Sequence, residues 1–271
     1  MRTLLICHAD AALHHDGLAR WMAAHTTLTG MVLVHETGRT LWRRAKREVR
    51  RVGALRFLDV LAFRLYDRLF LRARDDAWAR ERLTTLRAQY PPVPPETPLL
   101  RVRSPNSAEA AAFMQHCAPD LTLALCKVLL KPHIYSIPPK GTYVLHPGIC
   151  PEYRNAHGCF WALANDDLGM VGMTLLRIDE GIDTGPVYGY FTYDYDELRE
   201  SHTMIQHRVV LDSLEALRQK LDEIETGTAR PLETAGRQSA VWGQPWLTRY
   251  LHWKSNARRR SARAGHRVAV S

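Results

Sequence analysis

The stretch that most restricts what this chain can become runs from Thr142 to Val187. Tyr143, Val144 and Leu145 form a short apolar run that ends on His146 and breaks into a Pro/Gly loop, Pro147 to Pro151. Proline lacks the amide hydrogen that a sheet ladder requires, so a strand has to stop there. A second apolar run, Val171 to Ile178, leads into a compact acidic turn from Asp179 to Pro186, where Gly181 and Gly185 permit tight backbone bends. The pattern predicts two strands, one ending on a histidine and the other opening into a turn that presents Asp183. The two are expected to meet over the end of a sheet. Alone, His146 reads as a structural histidine and Asp183 as a turn cap. Together they suit general acid–base or proton-shuttle work.

The rest of the chain supplies a frame for such a sheet. Thr3–Cys7 reads as a buried strand, followed by a helix near 11–24 and a second strand at Met31–Val34, the rhythm of a parallel sheet with crossover helices. Asp120–Cys126 is a further buried strand, with Lys127, Val128 and Leu129 at its carboxyl end, where open α/β sheets bind ligands. Pro91–Pro98 is a connector that no helix can cross. Ser201–Thr226 is predicted to be one long helix, with Val210, Leu214, Leu217, Leu221 and Ile224 on its buried face. The expected fold class is α/β, an open, twisted, mostly parallel, Rossmann-related sheet. The expected main domain is 1–228, with a helical insertion at about 39–90, a C-terminal wrap over 229–257 and a basic, disordered tail over 258–271.

Charge is concentrated in the insertion. The chain carries a net +9, and Arg39–Arg74 holds twelve Arg/Lys against Glu48, Asp59 and Asp67, which is the whole excess. Leu58, Leu61, Leu65 and Leu69 recur there at helical spacing, with arginines on the opposite face. The expectation is a solvated basic face on helices whose leucines pack against the core. The sharper alternative is a basic amphipathic surface over 39–74 for an anionic ligand or a membrane surface. No apolar run approaches the ~18 residues of a membrane-spanning helix. The N-terminus turns polar too soon for a signal peptide, so a cytoplasmic location is expected. The five cysteines form no CxxC pair, so neither a zinc site nor a disulfide framework is expected. The His-rich start, Cys7–His8–Ala9–Asp10 with His14 and His15, lacks the His-Pro-Asp-Asp run of zinc deacetylases. No GxSxG, P-loop, HExxH or GxGxxG pattern competes with the central stretch.

Two motifs carry a resemblance: His146–Pro–Gly–Ile–Cys–Pro–Glu–Tyr153–Arg154 and Ile178–Asp–Glu–Gly–Ile–Asp183–Thr184–Gly185–Pro186. Across about Asp120–Val187 the chain resembles the folate-dependent formyltransferase family, which includes glycinamide ribonucleotide, methionyl-tRNA and sugar N-formyltransferases. The resemblance implies formyl transfer from 10-formyltetrahydrofolate to a primary amine, with no metal. It gives His146 the role of stabilising the oxyanion of the tetrahedral intermediate and Asp183 that of moving protons. It places the donor against Cys126, Lys127, Val128, Leu129, Gly181, Ile182 and Thr184, and the acceptor near Tyr153, Arg154 and Asn155. The family's Asn-x-His reads Val144–Leu145–His146 here, and valine donates no hydrogen bond. Asn155 is the candidate to reach in instead. An amino sugar, free or nucleotide-linked, is the preferred small-molecule acceptor, and nucleic acid is not expected as a partner. The alternatives are formyltetrahydrofolate hydrolysis and a folate- or nucleotide-binding homologue without activity. The oligomeric state is left open.

Overall fold

The computed structural model describes residues 1–35 and 38–268. The chain begins with β1 (Arg2–His8), a π-type turn at Leu13–Leu18, α1 (Ala19–His25) and β2 (Thr27–Val34). The insertion follows as α2 (Gly38–Val52), α3 (Ala54–Tyr66), a second π-type turn at Asp67–Leu71 and α4 (Arg72–Gln89). Then come β3 (Leu99–Val102), α5 (Ala108–Cys117), β4 (Leu121–Leu125), α6 (Pro132–Tyr135), β5 (Thr142–His146), β6 (Arg154–Asn155) and α7 (Gly158–Ala164). The chain closes with β7 (Met173–Arg177), β8 (Val187–Phe191), α8 (His202–Leu211), α9 (Leu214–Thr226), β9 (Val241–Trp242) and α10 (Leu247–Val268).

Seven strands form one open sheet in the order β3-β2-β1-β4-β5-β7-β8. The first five are parallel, and β7 runs antiparallel to both of its neighbours, β5 and β8. Because side chains alternate across a sheet, each central strand feeds two cores. Leu5 and Cys7 of β1 join Leu33, Leu123, Leu145 and Trp161 on one face, and Leu4 and Ile6 join Val32, Met114 and Ile134 on the other. The helix starts follow local capping chemistry. Ser107 and Ser201 each accept the amide of the residue three positions on, and Gly227, at φ 74°, ends α9 in the left-handed region that glycine tolerates.

Three expectations need correction. The helix predicted over Ser201–Thr226 is two helices, broken at Asp212–Ser213, although all five named apolar positions are buried. The tail expected to be disordered from Arg258 continues α10 as helix to Val268, and residues 269–271 lie outside the described residues. Most informative is the insertion. Leu58, Leu61, Leu65 and Leu69 are 60, 42, 58 and 63% exposed, and the face packed inward carries Val60, Phe63 and Leu71 instead. Phe63 is held edge-on or tilted against the rings of Phe160, His202 and Tyr250. Helical spacing located an apolar stripe, but α3 has two, and the aromatic anchor chose which one is buried.

Candidate active site

His146 ends β5 with its side chain on the same face as Val144, because strand side chains two apart share a face. That face is apolar: Val144 packs against Cys150, Leu176, Val187 and Tyr190. The loop after His146 folds back tightly, and the glycines allow it. A Cβ on Gly148 would lie 2.7 Å from the Tyr153 carbonyl oxygen, and one on Gly158 would lie 2.6 Å from the Gly148 Cα. Thr174 Oγ1 ties the loop to β7, donating to the Gly148 carbonyl at 2.6 Å and accepting from the Cys150 amide at 3.0 Å.

This packing holds the imidazole between two fixed oxygens. Its Nε2 donates to the Tyr153 carbonyl at 2.7 Å, and its Nδ1 lies 3.5 Å from Asp183 Oδ2. Burial alone pushes the imidazole pKa down, but the Asp183 carboxylate, Cys150 and the Tyr153 carbonyl outweigh it and raise the pKa to about 10. The raised pKa favours the charged form of the imidazole, and with both ring nitrogens directed at fixed oxygens it offers the site positive charge rather than a free hydrogen-bond donor.

Asp183 reaches this pair by an unexpected route. The acidic turn leaves β7 beside Thr142, whose carbonyl accepts from the Ile178 amide, at the end of β5 remote from His146. About 13 Å of strand separates those ends, so the turn folds back along β5 rather than meeting His146 over one sheet edge. Asp179 organises the turn, accepting from the Gly181 amide at 2.9 Å and the Thr184 hydroxyl at 2.7 Å. Gly181 and Gly185 are needed for close approach, not for a left-handed backbone. A Cβ on Gly185 would sit 1.8 Å from the Arg177 carbonyl oxygen. The residue in the left-handed region is Asp183 itself, at φ 51°.

The acceptor-side candidates divide. Arg154 donates to the Ile182 carbonyl at 3.1 Å, so it clamps the acidic turn to β6. The backbone amide of Asn155 donates to Asp183 Oδ2 at 2.8 Å. Its side-chain amide donates to the Trp242 carbonyl. Tyr153 is buried, stacked on Trp242, with its hydroxyl donating to Asp167 at 2.9 Å; what it gives the site is its carbonyl.

On the donor side, the register Ala124↔Val144 carries the loop after β4 level with His146. The loop is pinned from two directions. The Lys127 amide donates to His8 Nε2 at 2.9 Å, and the Asn106 side chain bridges the Leu129 carbonyl and the Lys131 amide at 2.9 and 2.8 Å. Cys126 and Val128 are half-buried, and Leu129 is exposed. Asn106 was legible in the sequence only as a helix-start residue, since its clamp spans 23 residues of chain.

A cleft of about 210 Å3 adjoins this site, lined by Phe63, Arg64 and Asp67 from the insertion with His157, His202 and Gln244. His157 is two residues beyond Asn155, so their Cα atoms lie within about 7 Å. The Nδ1 of His202 and Oδ1 of Asp67 are buried without a hydrogen-bond partner among the described residues. Burial raises the Asp67 pKa and lowers those of His157, to about 4, and His202. His14 and His207, 5.4 Å apart, are likewise held neutral, at about 3 and 4. No group of three or more His, Cys, Asp or Glu among the described residues is arranged to hold a metal ion.

Comparison with known proteins bears on the family and the fold. Residues 73–219 match the family described as Formyl transferase. The methionyl-tRNA formyltransferase of Mycobacterium avium (strain 104) is 32% identical over 137 residues, 49% of this chain and 42% of that protein. That of Anaeromyxobacter sp. (strain K) is 30% identical over 195 residues, 69% of this chain and 56% of its own length. The chain thus spans about half the length of these relatives. A sugar N-formyltransferase from Shewanella sp FDAARGOS_354 superposes with a TM-score of 0.54 at 12% identity, covering 95% of this chain and 87% of that one. Phosphoribosylglycinamide formyltransferase from Anaplasma phagocytophilum gives 0.54 at 11%, covering 90% and 99%. At such identities the structures share the fold alone. From the matched residues, this chain belongs to the formyl transferase family.

Proposed function

We propose that this chain transfers a formyl group from 10-formyltetrahydrofolate to the primary amine of an amino sugar. The observation that carries the reading is the buried His146 imidazolium, held by the Tyr153 carbonyl and Asp183 at the end of β5. As the amine nitrogen attacks the formyl carbon, negative charge develops on the formyl oxygen, and a preorganised cation in a dry site stabilises it. The bond from the formyl carbon to the donor nitrogen then breaks. The proton lost by the amine passes to that nitrogen, with the Asp183 carboxylate as the relay.

The acceptor class rests on the cleft beside the site. Arg64, Asp67, His202 and Gln244 offer donors and acceptors around the Phe63 ring, a set suited to neighbouring hydroxyls on a sugar. Three of these lining residues, Phe63, Arg64 and Asp67, precede the family match, which begins at residue 73. The wall they form belongs to this chain's own insertion.

The test is incubation with 10-formyltetrahydrofolate and a panel of amino sugars, other amines and no acceptor, following tetrahydrofolate release. Release that depends on an amino sugar is the expected result. Release without acceptor would mean hydrolysis, and silence in every well with folate still bound would mean a binding protein. Val144→Asn adds a donor two residues before His146, and a rise in rate of about tenfold or more is expected.

A further inference from the structure

Helix α3 and the turn after it have an outward face with an unusual composition. Leu55, Leu58, Leu65 and Leu69 follow one another at intervals of three, seven and four residues, which places them in one stripe along the helix. They are 84, 60, 58 and 63% exposed, and Phe70 after α3 and Trp42 on α2 are 67 and 64% exposed. Soluble proteins rarely leave so many large apolar side chains contiguous and uncovered.

The charges on the same helices decide what covers them. Lys46, Arg47 and Arg50 of α2 and Arg68 of the turn after α3 are exposed, whereas Arg56 lies over the Trp246 ring and Arg64 reaches Gln244 at the cleft. The three acids between residues 38 and 71 all turn inward. Glu48 is buried and holds Arg51, Asp59 accepts from the Thr248 amide at 3.1 Å, and Asp67 lines the cleft. The outward face therefore offers leucine, arginine and lysine with no carboxylate between them. A second copy of this chain laid on that stripe would set two basic rims against each other. An anionic lipid surface satisfies both parts, with leucines in the acyl boundary and basic groups at the phosphates. No described helix is long and apolar enough to cross a membrane, so the contact is interfacial.

We propose that the outer face of α2 and α3 docks this protein on a bilayer surface rich in anionic phospholipid. The 18 residues from Ala54 to Leu71 lie along the interface, and the opposite face of the same helix walls the cleft beside the active site. The surface is argued independently of the reaction and stands or falls separately from it.

The test is sedimentation of the full chain with sucrose-loaded vesicles, either phosphatidylcholine alone or an equal mixture with phosphatidylglycerol. Binding to the mixture at least about tenfold stronger than to phosphatidylcholine alone is expected. Replacing Leu58, Leu65 and Leu69 together by glutamate should abolish it while leaving the melting temperature and formyl transfer to a soluble amine unchanged. Replacing Arg47, Arg50 and Arg68 by glutamine should weaken it at least about tenfold without touching the apolar stripe. Three results would overturn the proposal. One is wild-type protein left in the supernatant with the mixed vesicles. Another is binding that survives the leucine substitutions, which marks attraction by charge alone, as for a nucleic acid. The last is a wild-type dimer in sedimentation equilibrium that the leucine substitutions convert to monomer, since a second copy would then be the occupant.

Discussion

Around His146, partners come from distant parts of the chain: the Tyr153 carbonyl, the Asp183 carboxylate, and behind them Thr174, Asn155 and Trp242. On the outer face of α3 the leucines are largely exposed, and they share the face with cations. Both regions are built from strongly patterned sequence. They differ in how many independent contacts over-determine each side chain. In the loop, a change at one residue disturbs several held groups. On the helix, the outward side chains are almost independent of folding, which leaves them available for a surface role.

Substitutions along α3 and at the site test that contrast. The largest expected effect is Phe63→Ala, which removes the ring that anchors the insertion among Phe160, His202 and Tyr250 and should cost about 3–5 kcal/mol in urea unfolding. A loss below about 1 kcal/mol would show that the insertion is held elsewhere.

Next is His146→Ala, which removes the buried positive charge and should lower formyl transfer by ~10²–10³ with far-UV circular dichroism unchanged. Because the folded pKa is raised to about 10, the stabilisation from the charged pair is complete below the unfolded value of about 6.5. It is lost as pH rises through about 10. The gap in melting temperature between wild type and His146→Gln should therefore shrink between pH 7 and 10, and a constant gap would remove the imidazolium from the account.

The buried histidines predict the opposite limb. His14, His157 and His207 have folded pKa values near 3 to 4, depressed first by burial and then by neighbouring charges, among them Lys127. Stability that depends on their neutral forms is present above about pH 6.5 and is lost as pH falls toward 4. Each contributes a slope of about 1.4 kcal/mol per pH unit. Denaturant titrations between pH 7 and 4.5 measure the slope, and a flat profile would mean these imidazoles are solvated.

The smallest expected effect is Leu65→Glu, within about 0.5 kcal/mol of wild type by urea unfolding. A larger loss would mean the outward stripe is covered in the isolated protein, and the contrast between the two regions would fail.

Much of the site was legible before the fold. The pair His146 and Asp183, the strand ending at Pro147, and the loop after β4 follow from spacing and from residues with restricted backbones. Other parts were not. Tyr153 is expected on the acceptor side by its motif, yet its ring is buried on Trp242, 89 residues further along the chain. Asn106 follows Ser104 and Pro105 at a helix start, yet it clamps the loop after β4. Contacts of this kind have no local signature, because nothing in the neighbouring residues records the distant partner.

Through two motifs the sequence resembled the formyl transferase family, and by itself it determined an α/β sheet, a strand ending on His146 and a basic helical stretch. Those features depend on local pattern: strand period, proline and glycine placement, and charge density. Only the tertiary structure decided that Asp183 arrives by folding back along β5, that Asn155 serves the site through its backbone, and that α3 buries Phe63 and exposes its leucines. In each case the chain had locally equivalent options, and packing against residues far away in sequence selected one.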